Sequence, residues 1–440
     1  MSSINRCVFP FAIAALVLAA MPFAARAQPA SPPGPYDGFR SSAVWTDAAG
    51  DANQRVSNLI ASLKNPHNRD RGEAAAALAA MGPAAAAAVP ALVNALADPS
   101  EYVRQESTAA LIAIGKEAVP ALARALTAKN RNTRQGAARA LAQIGPAAQS
   151  AAATLNAGLK DKDAGVRCES ANALWTLLRD GENAMPALQA ALKDKRPDVR
   201  KSAAVYLGRM GPPAAAAAPD LQAALKDANG QVRVSSAHAL WRVTNQVPAA
   251  VQALIDELKS EDASIRQYAL GAVGRMGAAA KAAIPALTQL AQSQDPFASQ
   301  QAANVLAQVG PPAVPALIGL LQYSDANVRM NAAVALGTMG SEAVPAVQAL
   351  ITALGDAQAF VRREAATALG NIGAPAKDAV PALINALSDA SAGVRAHAAE
   401  ALGDMGGAAA AAIPALTAAC SDTDFDVQEQ AKNSLSEVQP

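Results

Sequence analysis

The feature that most constrains the fold is a unit of 33 residues that repeats along nearly the whole chain. In the copy from Asp98 to Leu126, an Asp-Pro turn leads into a segment whose apolar residues recur at steps of three and four, which is the period of one helix face. Gly115 ends this predicted helix, and Pro120 marks the start of the next one, because the first turn of a helix tolerates proline. Each unit therefore predicts two short helices.

One arginine column and one leucine column define the register of the repeat. The arginine, which usually follows a valine, recurs at these positions, with one serine and one glutamine as replacements: Arg71, Arg104, Arg134, Arg167, Arg200, Arg233, Arg266, Ser299, Arg329, Arg362, Arg395 and Gln428. The steps are 33 residues, except for two of 30, and a leucine follows each position by seven residues, with Val273 as the one exception. A fixed period of this length predicts stacked units that bury their apolar faces against one another. We predict an array of twelve units.

The pattern of an Asp, a Val-Arg pair, paired alanines and Ala-Leu-Gly resembles the HEAT repeat family, and in particular its bilin-lyase-type subgroup. The pattern is plainest from Asp325 to Gly340 and from Asp389 to Gly406. The resemblance implies an all-α fold, a right-handed α-α superhelix of about twelve two-helix repeats, with the Val-Arg helices lining its concave face. Because HEAT arrays serve many unrelated tasks, the resemblance leaves the function open.

The start of the chain departs from the repeat. Residues 1–27 are typical of a signal peptide, with a positive charge, the apolar segment FAIAALVLAA and a small-residue cleavage site that ends at Ala27. An uncleaved anchor is the alternative, but the apolar segment between Pro10 and Pro22 is short for a span of about 20 residues. We expect cleavage after Ala27, a periplasmic or secreted protein, and no membrane span after signal removal.

The remaining chain divides into two parts. Residues 28–52 predict a linker and an N-terminal cap, because QPASPPGP is rich in turn residues and the following segment carries no repeat. Residues 53–440 predict the HEAT repeat solenoid, and its last helix, from Asp424 to Val438, is polar enough to serve as the C-terminal cap.

Composition excludes some classes of function. The 37 basic and 36 acidic residues nearly cancel, which argues against a surface that tracks nucleic acid phosphates. Aromatic residues are only 3% of the chain, so the core is built mainly of Ala and Leu and leaves little room for an enclosed ligand. Cys168 and Cys420 lie eight repeats apart, too far for the roughly 5.5 Å Cα separation of a disulfide, and we expect them to be small buried hydrophobes.

The arginine column has two interpretations. An Asp precedes the arginine by six residues in these units: Asp98, Asp161, Asp194, Asp227, Asp356, Asp389 and Asp422. A planar guanidinium bridges carbonyls and carboxylates well, so the column is either a clamp between repeats or a ladder that binds anions. The sequence favours the clamp, because a feature that recurs in nearly every unit defines the repeat and a binding site departs from it.

Two tryptophans depart from the repeat. Eight residues past the arginine most units have Gly or Ala, but two have Trp175 and Trp241, with Gly208 in the unit between them. The same two units lack the Met-Gly or Ile-Gly helix stop. Matching tryptophans around a glycine indicate a slot for a partner. The alternative is that each Trp fills the space left by a neighbouring Gly, which is ordinary packing.

The candidate binding patch lies on the face opposite the apolar stripe. At about 100° per residue, positions five and nine past the arginine should face the groove. Trp and Arg are enriched where partners bind tightly, so the candidate protein-binding residues are Trp175, Trp241, Arg209, Arg242, Arg275 and His238.

The groove is also expected to change sign along its length. In position nine the arginines give way to Asp404 and Glu437, with Glu364, Glu400 and Glu429 at nearby positions. Such charges either form a solvated surface or give a polarised groove that orients an extended partner.

No catalytic motif is present in the sequence. Within the HEAT proteins that this chain resembles, one family similar to deoxyhypusine hydroxylase holds iron with His-Glu pairs. In this chain His67, His238 and His397 are each followed by a residue other than Glu. The chain also has no GxSxG elbow and no phosphate loop.

The sequence therefore predicts an exported, non-catalytic scaffold without cofactors that binds a protein or an extended peptide along the concave face. Bilin-lyase-type cofactor handling is the main alternative, and a HEAT-type metal-dependent hydroxylase or oxidoreductase is the second.

Overall fold

The computed structural model describes residues 52–439, and in this range the chain forms helices and turns without a strand. The helices of the arginine column, here called the Val-Arg helices, are α2 Asn68–Met81, α4 Glu101–Ile114, α6 Arg131–Ile144, α8 Ala164–Leu178, α10 Pro197–Met210, α12 Gly230–Thr244, α14 Ala263–Met276, α16 Pro296–Val309, α18 Ala326–Met339, α20 Ala359–Ile372, α22 Ala392–Asp404 and α24 Phe425–Val438. The helices between them, here called the connecting helices, are α1 Ala52–Ser62, α3 Val89–Ala95, α5 Val119–Ala125, α7 Ala152–Gly158, α9 Gly181–Ala191, α11 Ala218–Ala224, α13 Val247–Leu258, α15 Ile284–Ala291, α17 Val314–Leu320, α19 Val347–Ala353, α21 Val380–Ala386 and α23 Ile413–Ala419. The predicted signal peptide, and the predicted linker and cap up to residue 51, lie outside the described residues.

These helices pair into stacked repeats. Each connecting helix is followed by a Val-Arg helix, and each Val-Arg helix packs against the next, as α2 does against α4 and α18 against α20. The Val-Arg helices therefore form one layer of the stack, and the connecting helices form the other. This arrangement confirms the prediction of an all-α solenoid of about twelve two-helix repeats.

Glycine ends most of the Val-Arg helices. At the end of α4, Gly115 adopts φ 76° and ψ −133°, a conformation that is open to glycine and strained for residues with a Cβ. A stretch of 3-10 helix, Gly115–Ala118, then leads into α5, whose first turn holds Pro120. The sequence predicted the stop and the proline, but it did not predict the 3-10 stretch.

The leucine column forms the centre of the core. Its members from Leu78 to Leu402, with Val273 in the series, have no exposed surface. Leu435, in α24, is only partly buried, because no helix packs beyond α24 within the described residues. Burial of one aliphatic side chain contributes about 1.5–3 kcal/mol, so the column supplies a stabilising contact at every step of the stack.

The arginine column is a clamp between repeats. Arg362 donates from Nε and Nη2 to the carboxylate of Asp389 in the next repeat, at 2.7 Å each, and from Nη1 to the carbonyl of Asp356 at 2.8 Å. Six arginines bind an Asp 27 residues ahead in this way: Arg71, Arg134, Arg200, Arg329, Arg362 and Arg395. Because these contacts occupy the guanidinium donors, the geometry confirms the clamp rather than the anion-binding ladder.

Two runs of consecutive helical residues, Asn68–Ala95 and Ala326–Ala353, are long and apolar enough to cross a membrane by length and composition alone, although a glycine with positive φ interrupts each. Each consists of a Val-Arg helix, a 3-10 stretch and a connecting helix, so each passes from one layer of the stack to the other. Core helices of stacked repeats satisfy the same criterion, and we assign both stretches to the solenoid.

Candidate functional site

The layer of Val-Arg helices presents one exposed surface, which is lined by alanine in α2 and α4 and carries polar or charged side chains from α6 onward. Position nine is exposed in every Val-Arg helix except α8, where Thr176 is half-buried, and position five is at least partly exposed except at Asn172. These positions lie opposite the buried Val and Leu of the same helices, as the helical period predicted. We call the surface formed by positions five and nine the Val-Arg face.

The two tryptophans lie at the edge of this face, between successive helices. Position eight points toward the next Val-Arg helix, as the glycine at Gly208 shows: a Cβ built there would lie 3.1 Å from the Cα of Ala239 in α12. Trp175 and Trp241 occupy the same position in α8 and α12, and both are half-buried against core residues. Their rings therefore contribute to packing between repeats and keep part of their surface exposed.

The expected slot between the tryptophans is absent from this part of the structure. Gly208 is buried, and the backbone of α12 fills the space beside it. The glycine allows α10 and α12 to pack closely along their length. The contact between α8 and α10 is less extensive. The prediction of a slot was wrong, because the neighbouring helix α12 occupies the space beside Gly208.

The tryptophan repeats also end their helices differently. α8 and α12 are each one residue longer than the other full-length Val-Arg helices, and they end at Arg179 and Asn245, both left-handed with φ 58°. The guanidinium of Arg179 lies 5.2 Å from the ring centroid of Trp175. α9 and α13 then follow without the 3-10 stretch that precedes most connecting helices. The loss of the glycine stop in the sequence was the signal for this change.

His238 lies beside Trp241 at position five of α12. The two ring centroids are 5.5 Å apart, with an angle of 58° between the ring planes. Burial, followed by the positive charges of Arg275 and Arg242, lowers the pKa of His238 to about 4. The imidazole is therefore neutral at pH 7, and the positive charge of the patch comes from its arginines.

The three candidate arginines form an exposed line across α10, α12 and α14. Arg209, Arg242 and Arg275 are all exposed at position nine. The guanidinium of Arg209 lies 5.5 Å from the ring centroid of Tyr206. Within residues 52–439, none of the three forms a salt bridge. The structure therefore brings Arg242, Arg275, His238 and Trp241 together, and places Arg209 next to a cleft that the sequence did not predict.

This central cleft opens on the Val-Arg face between α6, α8 and α10. Its volume is about 190 Å³, and it is lined by Arg139, Gln143, Asn172, Lys201, Ser202, Val205, Tyr206 and Arg209. Three of these residues are basic and none is acidic. The volume lies below the roughly 300–1,000 Å³ of small-molecule sites, so the cleft is of a size for one side chain.

A buried ionic network underlies the central cleft. Glu169, 1% exposed, accepts hydrogen bonds from Arg139 Nη2 at 2.6 Å and from the Tyr206 hydroxyl at 2.8 Å. The carboxylate raises the pKa of Arg139, and burial raises the pKa of Tyr206. Glu169 thus neutralises one of the three basic residues and fixes its position, and it leaves Lys201 and Arg209 without a counter-ion at the cleft.

The far end of the Val-Arg face is acidic. Position nine holds Asp404 in α22 and Glu437 in α24, and both are exposed. Each carboxylate lies close to the glycine at position eight of the preceding Val-Arg helix. A Cβ built on Gly370 would lie 3.0 Å from Asp404 Oδ2, and a Cβ built on Gly403 would lie 2.8 Å from Glu437 Oε2. The sign of charge on the face therefore changes between α14 and α22.

Groups that could support metal or thiol chemistry are scarce in the described part of the chain. Between residues 52 and 439, no three His, Cys, Asp or Glu side chains come together in a way that could hold a metal ion. Cys168 is buried, and burial raises the pKa of its thiol. Cys420 is half-buried and free.

Solved structures with a similar fold include importin beta and Kap121p. Importin beta matches with a TM-score of 0.57 at 16% identity, over 87% of this chain and 61% of that chain. Kap121p bound to Pho4p matches with a TM-score of 0.52 at 15% identity, over 88% of this chain and 49% of that chain. The chain thus spans between half and three-fifths of the length of these structures. At this identity the likeness shows the fold alone.

A model of HEAT repeats matches the sequence in overlapping pairs of units, over residues 56–142, 89–175, 152–241, 218–302, 284–367 and 347–436. No curated protein matches the sequence. The matched segments together cover nearly all of the described residues, and they follow the two-helix repeats of the structure. The chain belongs to the HEAT repeat family.

Proposed function

We propose that this protein is a non-catalytic, exported scaffold that binds another protein or an extended peptide along its Val-Arg face. The observation that carries the proposal is the charge on this face, which is basic at Arg209, Arg242 and Arg275 and acidic at Asp404 and Glu437. A surface of this kind attracts and orients an extended partner, because each end of the partner meets the opposite sign of charge.

The similar fold of proteins that bind other proteins supports this proposal. Kap121p, which shares the solenoid fold, was crystallised bound to Pho4p. The matching family describes HEAT repeats and indicates no catalytic activity. We infer that this chain, like Kap121p, uses its helical stack to hold a protein or peptide.

We further propose the anchors of the partner. Arg209, Arg242 and Arg275 supply exposed charge, and Trp175 and Trp241 supply aromatic surface at the edge of the face, with His238 beside Trp241. Arginine and tryptophan contribute strongly to binding when a partner removes them from water. The tryptophans also pack between repeats, so the arginines test the site more cleanly.

Loss of the three arginines is expected to weaken partner capture strongly without loss of folding. The variant Arg209→Gln, Arg242→Gln, Arg275→Gln removes three exposed cations that form no salt bridge within residues 52–439. We expect partner recovery, measured by tagged purification from the exported fraction after crosslinking, to fall by about tenfold or more, because charge-assisted contacts contribute about 1.5–3 kcal/mol each. The helical circular dichroism signal should stay at the wild-type level.

A charge-matched control removes three exposed cations from outside the Val-Arg face: Arg124→Gln, Lys281→Gln and Lys377→Gln. This variant should capture the partner as the wild type does. Equal capture by the arginine variant, or equal loss with the control variant, would contradict the proposal that the Val-Arg face binds the partner.

We also propose that the mature protein acts in the periplasm or outside the cell. The signal-like features of residues 1–27 support this location. Amino-terminal sequencing of the protein from the exported fraction should start at Gln28. A protein that stays in the cytoplasm with its first residues attached would overturn this part of the proposal.

No specific observation favours the two alternatives. The family match is to HEAT repeats in general and gives no support to the bilin-lyase-type subgroup. The central cleft, at about 190 Å³, is smaller than a cofactor site. The chain also lacks the His-Glu pairs that the resemblance would require for a HEAT-type hydroxylase. We therefore do not propose a bilin-handling or hydroxylase activity.

A further inference from the structure

We propose that the central cleft binds a carboxylate side chain of an acidic partner peptide, and that this peptide carries one acidic residue in every three. This inference rests on the proposed function and adds the chemistry and the spacing of the partner. It is carried by the basic cleft, by the buried glutamate that fixes its shape, and by the line of arginines that leads away from it.

The charge of the central cleft selects an anion. Arg139, Lys201 and Arg209 contribute three positive charges, and Glu169 beneath them contributes one negative charge. The net charge is therefore +2, counted over these four residues. Asn172 and Ser202 add neutral hydrogen-bonding groups to the lining, and the lining holds no acidic side chain. A carboxylate that enters the cleft would find cations from two different repeats within one small volume.

The buried network holds the cleft ready for this ligand. Arg139 donates from Nε and Nη2 to Glu169, at 3.1 and 2.6 Å, and this contact fixes the guanidinium beside the cleft. Lys201 Nζ is held by Gln231 Oε1 at 3.1 Å, and the Arg209 guanidinium lies over Tyr206. Each cation is thus oriented by a neighbour that leaves it charged. Such preorganisation reduces the ordering cost of binding.

The line of arginines sets the spacing of the ligand. Arg209, Arg242 and Arg275 occupy the same position in consecutive Val-Arg helices. Packed helices lie about 8–10 Å apart, and a polyproline II peptide presents every third side chain on one side, about 9.3 Å apart. An acidic residue at every third position would therefore meet one cation per repeat. A peptide with its acidic residues in one block would meet fewer.

The experiment measures binding of fluorescein-labelled peptides to the full-length mature protein by fluorescence anisotropy. One peptide repeats Glu-Pro-Pro, and the second has the same composition with all glutamates in one block. The third replaces each Glu of the first with Lys. We expect the spaced Glu peptide to bind about tenfold or more tightly than the block peptide, because each added charged contact contributes about that factor. The Lys peptide should not compete.

A cleft variant and a matched control locate the site. Lys201→Gln with Arg209→Gln should weaken binding of the spaced Glu peptide by about tenfold or more. Lys281→Gln with Lys377→Gln removes the same charge from outside the Val-Arg face and should leave the affinity unchanged. Retained affinity in the cleft variant, or equal affinity for the spaced and block peptides, would overturn the inference.

A single-stranded oligonucleotide separates an acidic peptide from a nucleic acid ligand. If it displaces the spaced Glu peptide and binds more tightly, the ligand is a phosphate backbone and the inference fails. The proposed function and this inference fail on different results. If the arginine variant described above loses its partner while the cleft variant still binds the spaced peptide normally, the scaffold stands and the acidic-peptide assignment to the cleft is wrong.

Discussion

Two kinds of residue at the helix ends divide the repeats into ordinary and exceptional ones. Glycines such as Gly115 adopt backbone angles that other residues avoid, and they turn the chain toward a 3-10 stretch. Arg179 and Asn245 adopt the left-handed conformation instead and end helices that are one residue longer. The exceptional ends occur in the two repeats that hold Trp175 and Trp241.

The backbone requirement at the ordinary ends can be tested at Gly115. A Cβ at this residue would contact no atom within 4 Å, so only the backbone conformation opposes a side chain. We expect Gly115→Ala to lower the free energy of unfolding by about 1–3 kcal/mol. The measurement is urea denaturation followed by circular dichroism.

Gly319 is the matched control, because it is also free of contacts but lies inside α17 with no positive φ. Gly319→Ala should raise the free energy of unfolding by about 0.5–1 kcal/mol through higher helix propensity. A loss of stability in both variants would mean that the conformation of Gly115 is not the cause.

The sequence predicted single residues well where they belong to a column. The leucines seven residues past the arginine are buried as far as Leu402, as their period indicated, and position nine is exposed in every Val-Arg helix except α8. The network of Arg139, Glu169 and Tyr206 was not predictable in the same way. Its members lie 30 and 37 residues apart in three different columns, so no column shows their contact.

The clamps determine how the helices of successive repeats are joined. Each Asp of a clamp binds an arginine of the preceding repeat through its carboxylate. Its carbonyl accepts a hydrogen bond from an arginine of its own repeat, or from Gln428 in the last described repeat. One aspartate thus ties together two consecutive Val-Arg helices at the turn between them. Repeat stacks depend on such nearest-neighbour contacts, because no contact links distant repeats.

The clamp at Asp389 has a defined pH dependence. The hydrogen bonds from Arg362 hold the pKa of Asp389 below its ordinary value of 3.8. A carboxyl whose pKa is lowered by folding stabilises the folded state above the ordinary pKa, and this stabilisation is lost as the pH falls through the folded pKa. We expect Asp389→Asn to lower the free energy of unfolding by about 1–3 kcal/mol at pH 7.

The deficit of Asp389→Asn should shrink as the pH falls below about 4, because Asp389 is then protonated first in the unfolded chain and, at lower pH, in the folded clamp as well. Urea denaturation of both proteins at pH 7 and at pH 3 measures the difference. Asp378, which is exposed and lies in a 3-10 stretch, gives a control variant whose stability should match the wild type at both pH values. A deficit that is the same at both pH values would show that the clamp does not act through the charge of Asp389.

The sequence predicted these helices from their period, their prolines and their glycines. It could not predict where the tryptophans lie, because position eight is at the boundary between the exposed face and the next helix. At Gly208 a Cβ would lie 3.1 Å from the Cα of Ala239, and this distance depends on how closely two repeats pack. That closeness is set by side chains of both helices, which one column does not show.

Over the whole molecule, the Val-Arg helices form one layer whose exposed charges change sign along the stack. This change was predicted from position nine alone, because the repeat places equivalent residues on equivalent sites. The central cleft was not predicted, since it is formed by three neighbouring helices together. The net charge of +1 hides both features, because basic and acidic residues cancel in the total.

Site-specific photo-crosslinking tests most directly whether the Val-Arg face holds the partner. A photoreactive amino acid at Thr338 or Asn371 is exposed on this face between its basic and acidic parts, and at Lys281 or Lys377 it is exposed outside it. The proteins are expressed in the host, irradiated, and analysed for covalent adducts. We predict adducts with the same partner from Thr338 and Asn371 and none from Lys281 and Lys377. Adducts from the two lysine positions, with none from the Val-Arg face, would contradict the account.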